Sequence, residues 1–397
     1  MDYKTLEDQH SSGLYAKHTP VIVRGQGALL WDVQGREYLD CAAGHGVANL
    51  GHAHPEVAQA IAEQAARLVT LPETFYNDQR AALMALLTSL VPGMHMPGNP
   101  LRCFFCNSGT EAVEAALKFA RLSTGRTQVV AAMRGFHGRT YGALSATWNK
   151  TYRQPFEPLV PGFTHIAYNN LAALDQAVTD QTAAVLLEVV QGEGGVHLGD
   201  PAFLQGAQKL CQERGALLII DEVQTGLGRT GTLFAIEHAG LQPDLLCIAK
   251  SLAGGLPMGA VLIGGRVKNL APGLHASTFG GNPLACAASL AALNVMVRDD
   301  LPRQAAEKGA YLLSRLRSVP SPLVREVRGI GLMIGIELKQ KVSPYLRALE
   351  ERGVLALPAG LNVLRLLPPL VITYEQMDRA VAVITEVLTQ PLTQENE

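Results

Sequence analysis

Residues 101–121 read LRCFFCNSGTEAVEAALKFAR: an apolar run, a short turn of polar and small residues, then a helical pattern. The run predicts a strand over Arg102–Cys106, and the turn Asn107-Ser108-Gly109-Thr110-Glu111 opens a helix. Short apolar runs followed by helical patterns return at 128–132, 183–190, 216–220 and 245–249. That rhythm predicts an α/β fold with a mostly parallel sheet and crossover helices. Ligands of such sheets sit outside the carboxyl ends of the strands, so chemistry is sought in the residues just after each run.

Both ends of the chain read differently. Short strands at 21–23, 28–31 and 38–41, separated by Gly-rich turns, suggest a meander. From about Leu301 helices mix with strands at 331–338 and 363–367, which suggests a second layer formed jointly with the N-terminus. The predicted organisation is a large central unit, 58–299, and a smaller α+β unit assembled from 1–57 and 300–397. The chain has 397 residues, 48% of them hydrophobic and 17% charged, enough for a large core and too apolar for disorder. Its 33 Lys+Arg against 35 Asp+Glu leave a charge of -2, which argues against nucleic acid or an anionic membrane as partner. The start, MDYKTLEDQH, lacks the basic end and apolar run of a secretory signal, so the cytoplasm is expected. The uncharged stretch 271–297 is apolar only from Pro283 onward, short of the roughly 20 residues a bilayer needs, and predicts a buried helix.

Six cysteines are too sparse for a disulfide framework. Cys103 and Cys106 form a CxxC, but a strand sends them to opposite faces and no second CxxC completes a zinc site, so no metal is expected there.

Three strand ends carry candidate chemistry. At the first, free amides of the helix N-terminus and the hydroxyls of Ser108 and Thr110 could cradle a phosphate. Taken alone, a simple N-cap is the commoner use of such a turn. At the second, Leu217-Leu218-Ile219-Ile220 ends in Asp221-Glu222. A nucleotide triphosphatase would need a loop containing Gly-Lys, and no such dipeptide occurs in the chain. Asp221 then reads either as a helix cap or as a partner for a cation or a protonated heterocycle. At the third, DLLCIAKSLAGG over 244–255 places Lys250 at the end of an apolar strand. Burial would lower its pKa and leave the neutral amine that Schiff-base chemistry needs, whereas a snorkelling lysine is the plainer alternative. A phosphate cradle, a partner for a ring nitrogen and such a lysine on one rim are the parts a pyridoxal phosphate enzyme requires.

The motifs NSGTEAVEAALKFAR, RGFHGRT, QGEGG, DEVQTGLGRTG, STFGGNPLA, RGIGLMIGIEL and RLLPPL follow one another along nearly the whole chain. In this it resembles the class III aminotransferases of the fold-type-I pyridoxal-phosphate group. Within them it is most similar to acetylornithine aminotransferases, in particular those acting on aminoadipate semialdehyde attached to a small acidic carrier protein. The resemblance implies a seven-stranded, mostly parallel sheet and pyridoxal 5'-phosphate as cofactor. It implies that Lys250 holds the cofactor and moves the proton, and that Asp221 faces the pyridine nitrogen. Ser108, Gly109 and Thr110 would bind phosphate. Phe136 and Val223 would sandwich the ring, and Gln224 would reach its hydroxyl. Thr278 would reach the phosphate of a neighbouring subunit, so a homodimer is implied. Arg139 and Arg365 would take substrate carboxylates, Glu193 would act as a gate by pairing with an active-site arginine, and Ser277 would contact substrate. The implied reaction moves an amino group between a terminal amine and 2-oxoglutarate, in arginine or lysine synthesis. Rivals are an ω-aminotransferase for 4-aminobutyrate, ornithine or a diamine, a pyridoxal-phosphate isomerase or decarboxylase, and a non-catalytic carrier-binding module. His52 and His54 form an HxH that the family carries without metal. Gly329-Ile330-Gly331 is no dinucleotide fingerprint, because a strand and not a helix follows. His137 is given no role.

Overall fold

The computed structural model describes residues 2–94 and 99–390. Its strands in chain order are β1 (Ile22–Gln26), β2 (Leu29–Asp32), β3 (Glu37–Asp40), β4 (Arg102–Cys106), β5 (Gln128–Ala132), β6 (Phe163–Ile166), β7 (Thr182–Leu187), β8 (Val190–Gln191) and β9 (His197–Leu198). They continue as β10 (Leu217–Asp221), β11 (Leu245–Ile248), β12 (Gly259–Ile263), β13 (Val324–Ile330), β14 (Met333–Leu338), β15 (Val354–Leu355), β16 (Leu357–Ala359) and β17 (Val363–Leu366). Seven of them form the central sheet in the order β4-β12-β11-β10-β7-β5-β6. β12 runs antiparallel to both of its neighbours, and β5, β6, β7, β10 and β11 pair in parallel, so the sheet is mostly parallel as expected. β7, β10, β11 and β12 are buried at every position, because helices cover both faces.

Two of these strands, β6 and β12, were not expected from the sequence. β6 lies at the sheet edge and has one fully buried residue, so its apolar signal is weak. The run at 183–190 is corrected as well. The sheet strand ends at Leu187, and Val190–Gln191 belongs to a separate ribbon paired with His197–Leu198. The uncharged stretch does give a helix, Pro283–Arg298, capped by the Asn282 carboxamide oxygen, which accepts from Ala285 N at 2.8 Å. Among the described residues no helix is long and apolar enough to cross a membrane.

β1, β2 and β3 form the N-terminal meander, and β15 adds to it in parallel, with Val354 opposite Leu39. The two ends of the chain thus share one sheet. β13 was also missed; it forms a hairpin with β14, which itself begins at Met333, two residues later than the apolar pattern suggests. Gly331 turns that hairpin at φ +54°, where an added Cβ would lie 2.4 Å from the Thr230 carbonyl carbon. Fully buried Arg229 ties the segments together: its guanidinium donates to the carbonyls of Leu332 and Pro368 and to Asn49 Oδ1. His52 Nε2 lies 2.7 Å from Asp40 Oδ2, a structural pairing at the foot of the meander.

Candidate active site

Strand ends and the loops after them enclose a cavity of about 290 Å³. Its walls are Gly109 and Thr110 after β4, the segment 136–139 after β5, Glu188 and Glu193 after β7, Asp221, Val223 and Gln224 at the end of β10, and Lys250 after β11. Nine of the sequence-predicted residues therefore meet at one place: Gly109, Thr110, Phe136, Arg139, Glu193, Asp221, Val223, Gln224 and Lys250. Arg365, in β17, stands behind the wall, its side chain inaccessible to solvent.

Lys250 opens a short 3-10 turn and has φ +47°, a left-handed conformation that a lysine adopts only when its surroundings impose it. Burial, reinforced by the nearby Arg365 charge, pulls its amine down to about 8. The neutral, nucleophilic form is accordingly lost as pH falls through 8 and gained above it. Covalent capture of pyridoxal phosphate by cofactor-free protein should thus slow about tenfold for each pH unit below 8 and level off above. Stopped-flow absorbance across pH 6–10 checks this, and a rate independent of pH would contradict it.

Asp221 Oδ1 accepts from Val223 N at 3.0 Å, and Oδ2 lies 2.8 Å from His137 Nδ1. Burial disfavours charge on His137, but the hydrogen bond and charge of Asp221 more than offset it, and the imidazole lies above the ordinary histidine value. Asp221, buried and paired with His137, suits one side of a protonated ring nitrogen. Glu193 Oε1 meets Arg365 Nη2 at 2.5 Å, while Arg365 Nη1 donates to Gln224 Oε1 at 3.0 Å. Burial opposes ionisation of Glu193, yet Arg365 outweighs it and holds the carboxyl below the usual glutamate value. Arg139 is exposed at the rim, its guanidinium 3.9 Å from the Tyr152 ring centroid.

Three expected residues do not reach the cavity of this chain. The Ser108 hydroxyl accepts from Glu111 N at 3.3 Å and donates to Glu111 Oε2 at 2.8 Å, the plain cap weighed above. Ser277 Oγ is taken by Asn107 Nδ2 and Gly280 N, and Thr278 is exposed outside the cavity wall. Three residues to which the sequence reading gave no role also line it: His137, Gly138 and Glu188.

The cradle is built without side chains where a flat ring and a phosphate would lie. A Cβ on Gly109 would stand 2.6 Å from Val223 Cγ1, and one on Gly138 would stand 2.3 Å from Thr110 Oγ1. The first amides of the helix Gly109–Thr124 have no intrahelical acceptors and face an anion favourably. With Lys250 and Asp221 opposite, these residues fit pyridoxal phosphate. Residues 14–388 match the family model described as aminotransferase class-III. The chain belongs to the class-III aminotransferases. It is 51% identical to the [LysW]-aminoadipate semialdehyde transaminase of Deinococcus radiodurans over 96% of this chain and 89% of that protein. It is 44% identical to the acetylornithine aminotransferase of Methanothermobacter thermautotrophicus, over 97% of each. Among solved structures it is similar to the ornithine aminotransferase of Toxoplasma gondii, in which pyridoxal phosphate partly occupies the active site. That similarity has a TM-score of 0.92 and 36% identity, over 98% of this chain and 94% of the other. The protein is thus a pyridoxal-phosphate-dependent aminotransferase.

Proposed function

We propose that this aminotransferase moves an amino group between a terminal amine, N-acetylornithine or a carrier-protein-bound lysine precursor, and 2-oxoglutarate. The observation that carries the reading is the Glu193–Arg365 pair, with Glu193 lining the cavity and Arg365 behind its wall. A fully buried guanidinium held by a carboxylate can serve two substrates in turn. With the pair closed, the cavity offers no free cation at that end and takes an amine whose other end is neutral there. With the pair open, Arg365 binds the second carboxylate of glutamate or 2-oxoglutarate through a planar bidentate fork. Arg139 at the rim takes the carboxylate common to both.

When bound, pyridoxal phosphate supplies an electron sink for the negative charge left when a proton is removed. Lys250 Nζ takes that proton from the amine-bearing carbon and returns it on the other side of the same exchange. Asp221 holds the ring-nitrogen proton in place, Gln224 orients the ring hydroxyl, and Phe136 and Val223 hold the two faces. Gly109 and Thr110 bind phosphate. Ser108 supports them as the cap of that helix, and Ser277 and Thr278 act across a homodimer interface, Thr278 on the cofactor phosphate of the neighbouring subunit.

Carrier-bound substrate is favoured by the name of the Deinococcus relative and by Arg139, a cation exposed where it lines the cavity. A single half-reaction tests the reading. N-acetylornithine added without any 2-oxo acid should bleach the enzyme's visible absorbance, and 2-oxoglutarate should restore it. If glutamate bleaches the enzyme and N-acetylornithine does not, the donor is a carrier-linked or other ω-amine. Raising salt from 50 to 300 mM should raise KM for a donor carried on an acidic protein and leave KM for a small donor nearly unchanged.

A further inference from the structure

Glu188 follows β7 directly and lines the cavity, yet none of the roles above uses it. Only 7% of its surface is exposed. It answers to backbone amides on two different loops. Oε1 accepts from Phe136 N at 3.0 Å, and Oε2 accepts from Gly192 N at 3.3 Å. The first amide belongs to the loop that carries Phe136, His137 and Arg139, the second to the loop that carries Glu193. Two further contacts join the same loops. Gln191 Nε2 donates to Met133 O at 2.9 Å, and Gly194 packs so closely on Arg134 that an added Cβ would lie 2.5 Å from its carbonyl oxygen. Gly192 is equally confined on its other side, where a Cβ would stand 1.9 Å from Gln224 Oε1, the atom that also receives Arg365. A buried carboxylate is costly unless its acceptors are filled. Here both oxygens are filled by the two segments a gate motion would have to part.

We propose that Glu188 is a positioning residue that locks the Phe136 loop and the Glu193 loop into one unit, so that the carboxylate gate and the wall facing the cofactor ring shift together. The inference rests on the gate reading of Glu193 and Arg365. Loosening the lock weakens the hold of Glu193 on Arg365 and leaves the guanidinium more available to a dicarboxylate.

Glu188→Gln tests it, because a carboxamide offers one acceptor oxygen where two amides need one each. The ratio of kcat/KM for glutamate to that for the amine donor should rise about fivefold to tenfold, the range expected for one lost hydrogen bond. In the cofactor-free protein, hydrogen exchange at Phe136 N and Gly192 N should speed up together. Gln191→Met, which removes the second link, should move the ratio in the same direction by less, and it serves if the first variant folds poorly. An unchanged ratio, or exchange that quickens on one loop alone, overturns the proposal. Glu193→Ala separates the two readings: if it leaves the ratio unmoved, the gate fails on its own, and the paired exchange still decides whether Glu188 joins the loops.

Discussion

Lys250→Ala should lower the rate of transamination by about 10⁴-fold while the protein still binds its cofactor. The magnitude is the upper end of what a positioned general base contributes, and here the same amine is also the group that attaches the cofactor. Binding should survive because the glycine cradle, the helix N-terminus and Asp221 lie on other elements than Lys250. The bound cofactor should absorb differently from that of the parent enzyme. Stopped-flow measurement of the half-reaction with N-acetylornithine or glutamate reads the loss, and added methylamine should restore part of the rate by carrying the proton. Near-normal turnover would sink the assignment of the base.

Asp221→Asn should cost about 10²- to 10³-fold in kcat with little change in fold. The carboxamide keeps an acceptor for Val223 N, so the turn at the end of β10 persists. What disappears is the negative charge between a buried imidazole and the ring nitrogen. Removing one partner of a buried ion pair costs on the order of 3–5 kcal/mol, which overlaps the roughly 2.7–4 kcal/mol equivalent to that fold-change. His137, no longer facing a carboxylate, should return its proton at lower pH: the shift runs downward, because the raised value depends on Asp221. Imidazole NMR of the variant checks this, and an unchanged His137 titration would contradict the pairing.

Much of this site could be read from the sequence because its parts sit at strand ends. Asn107-Ser108-Gly109-Thr110-Glu111, Asp221 and Lys250 each come at the end of an apolar run, fully buried in β10 and β11 and buried at the last two residues of β4, and the fold brings Gly109, Thr110, Asp221 and Lys250 to one rim. Glu188 obeys the same rule and was passed over for a definite reason. The apolar pattern continues through Val189 and Val190, so the strand was extended past a carboxylate that in fact ends it. His137 was out of reach for another reason. Its partner Asp221 is 84 residues away, and nothing in RGFHGRT announces a contact across the sheet. Ser108 carries both readings weighed in the sequence: its hydroxyl caps the helix at Glu111, at the turn where the family motif implies a phosphate. The reversed strand β12 was invisible because the expected βα rhythm has no place for it, and the edge strand β6 because only its last residue is buried and its apolar signal is weak.

The parallel pairing of β3 with β15 has a consequence for how the chain is made. β3 emerges from the ribosome early, and the strand that completes its sheet is among the last segments synthesised. Contacts so far apart in sequence form slowly, and until they do β3 offers an unpaired edge. The central sheet can assemble from neighbouring βα units during synthesis, but Arg229 keeps unsatisfied donors until Leu332 and Pro368 arrive. Closure of this sheet therefore waits for residues 354–355, and a nascent chain stalled before residue 354 would carry an open sheet edge available for aggregation or for a chaperone.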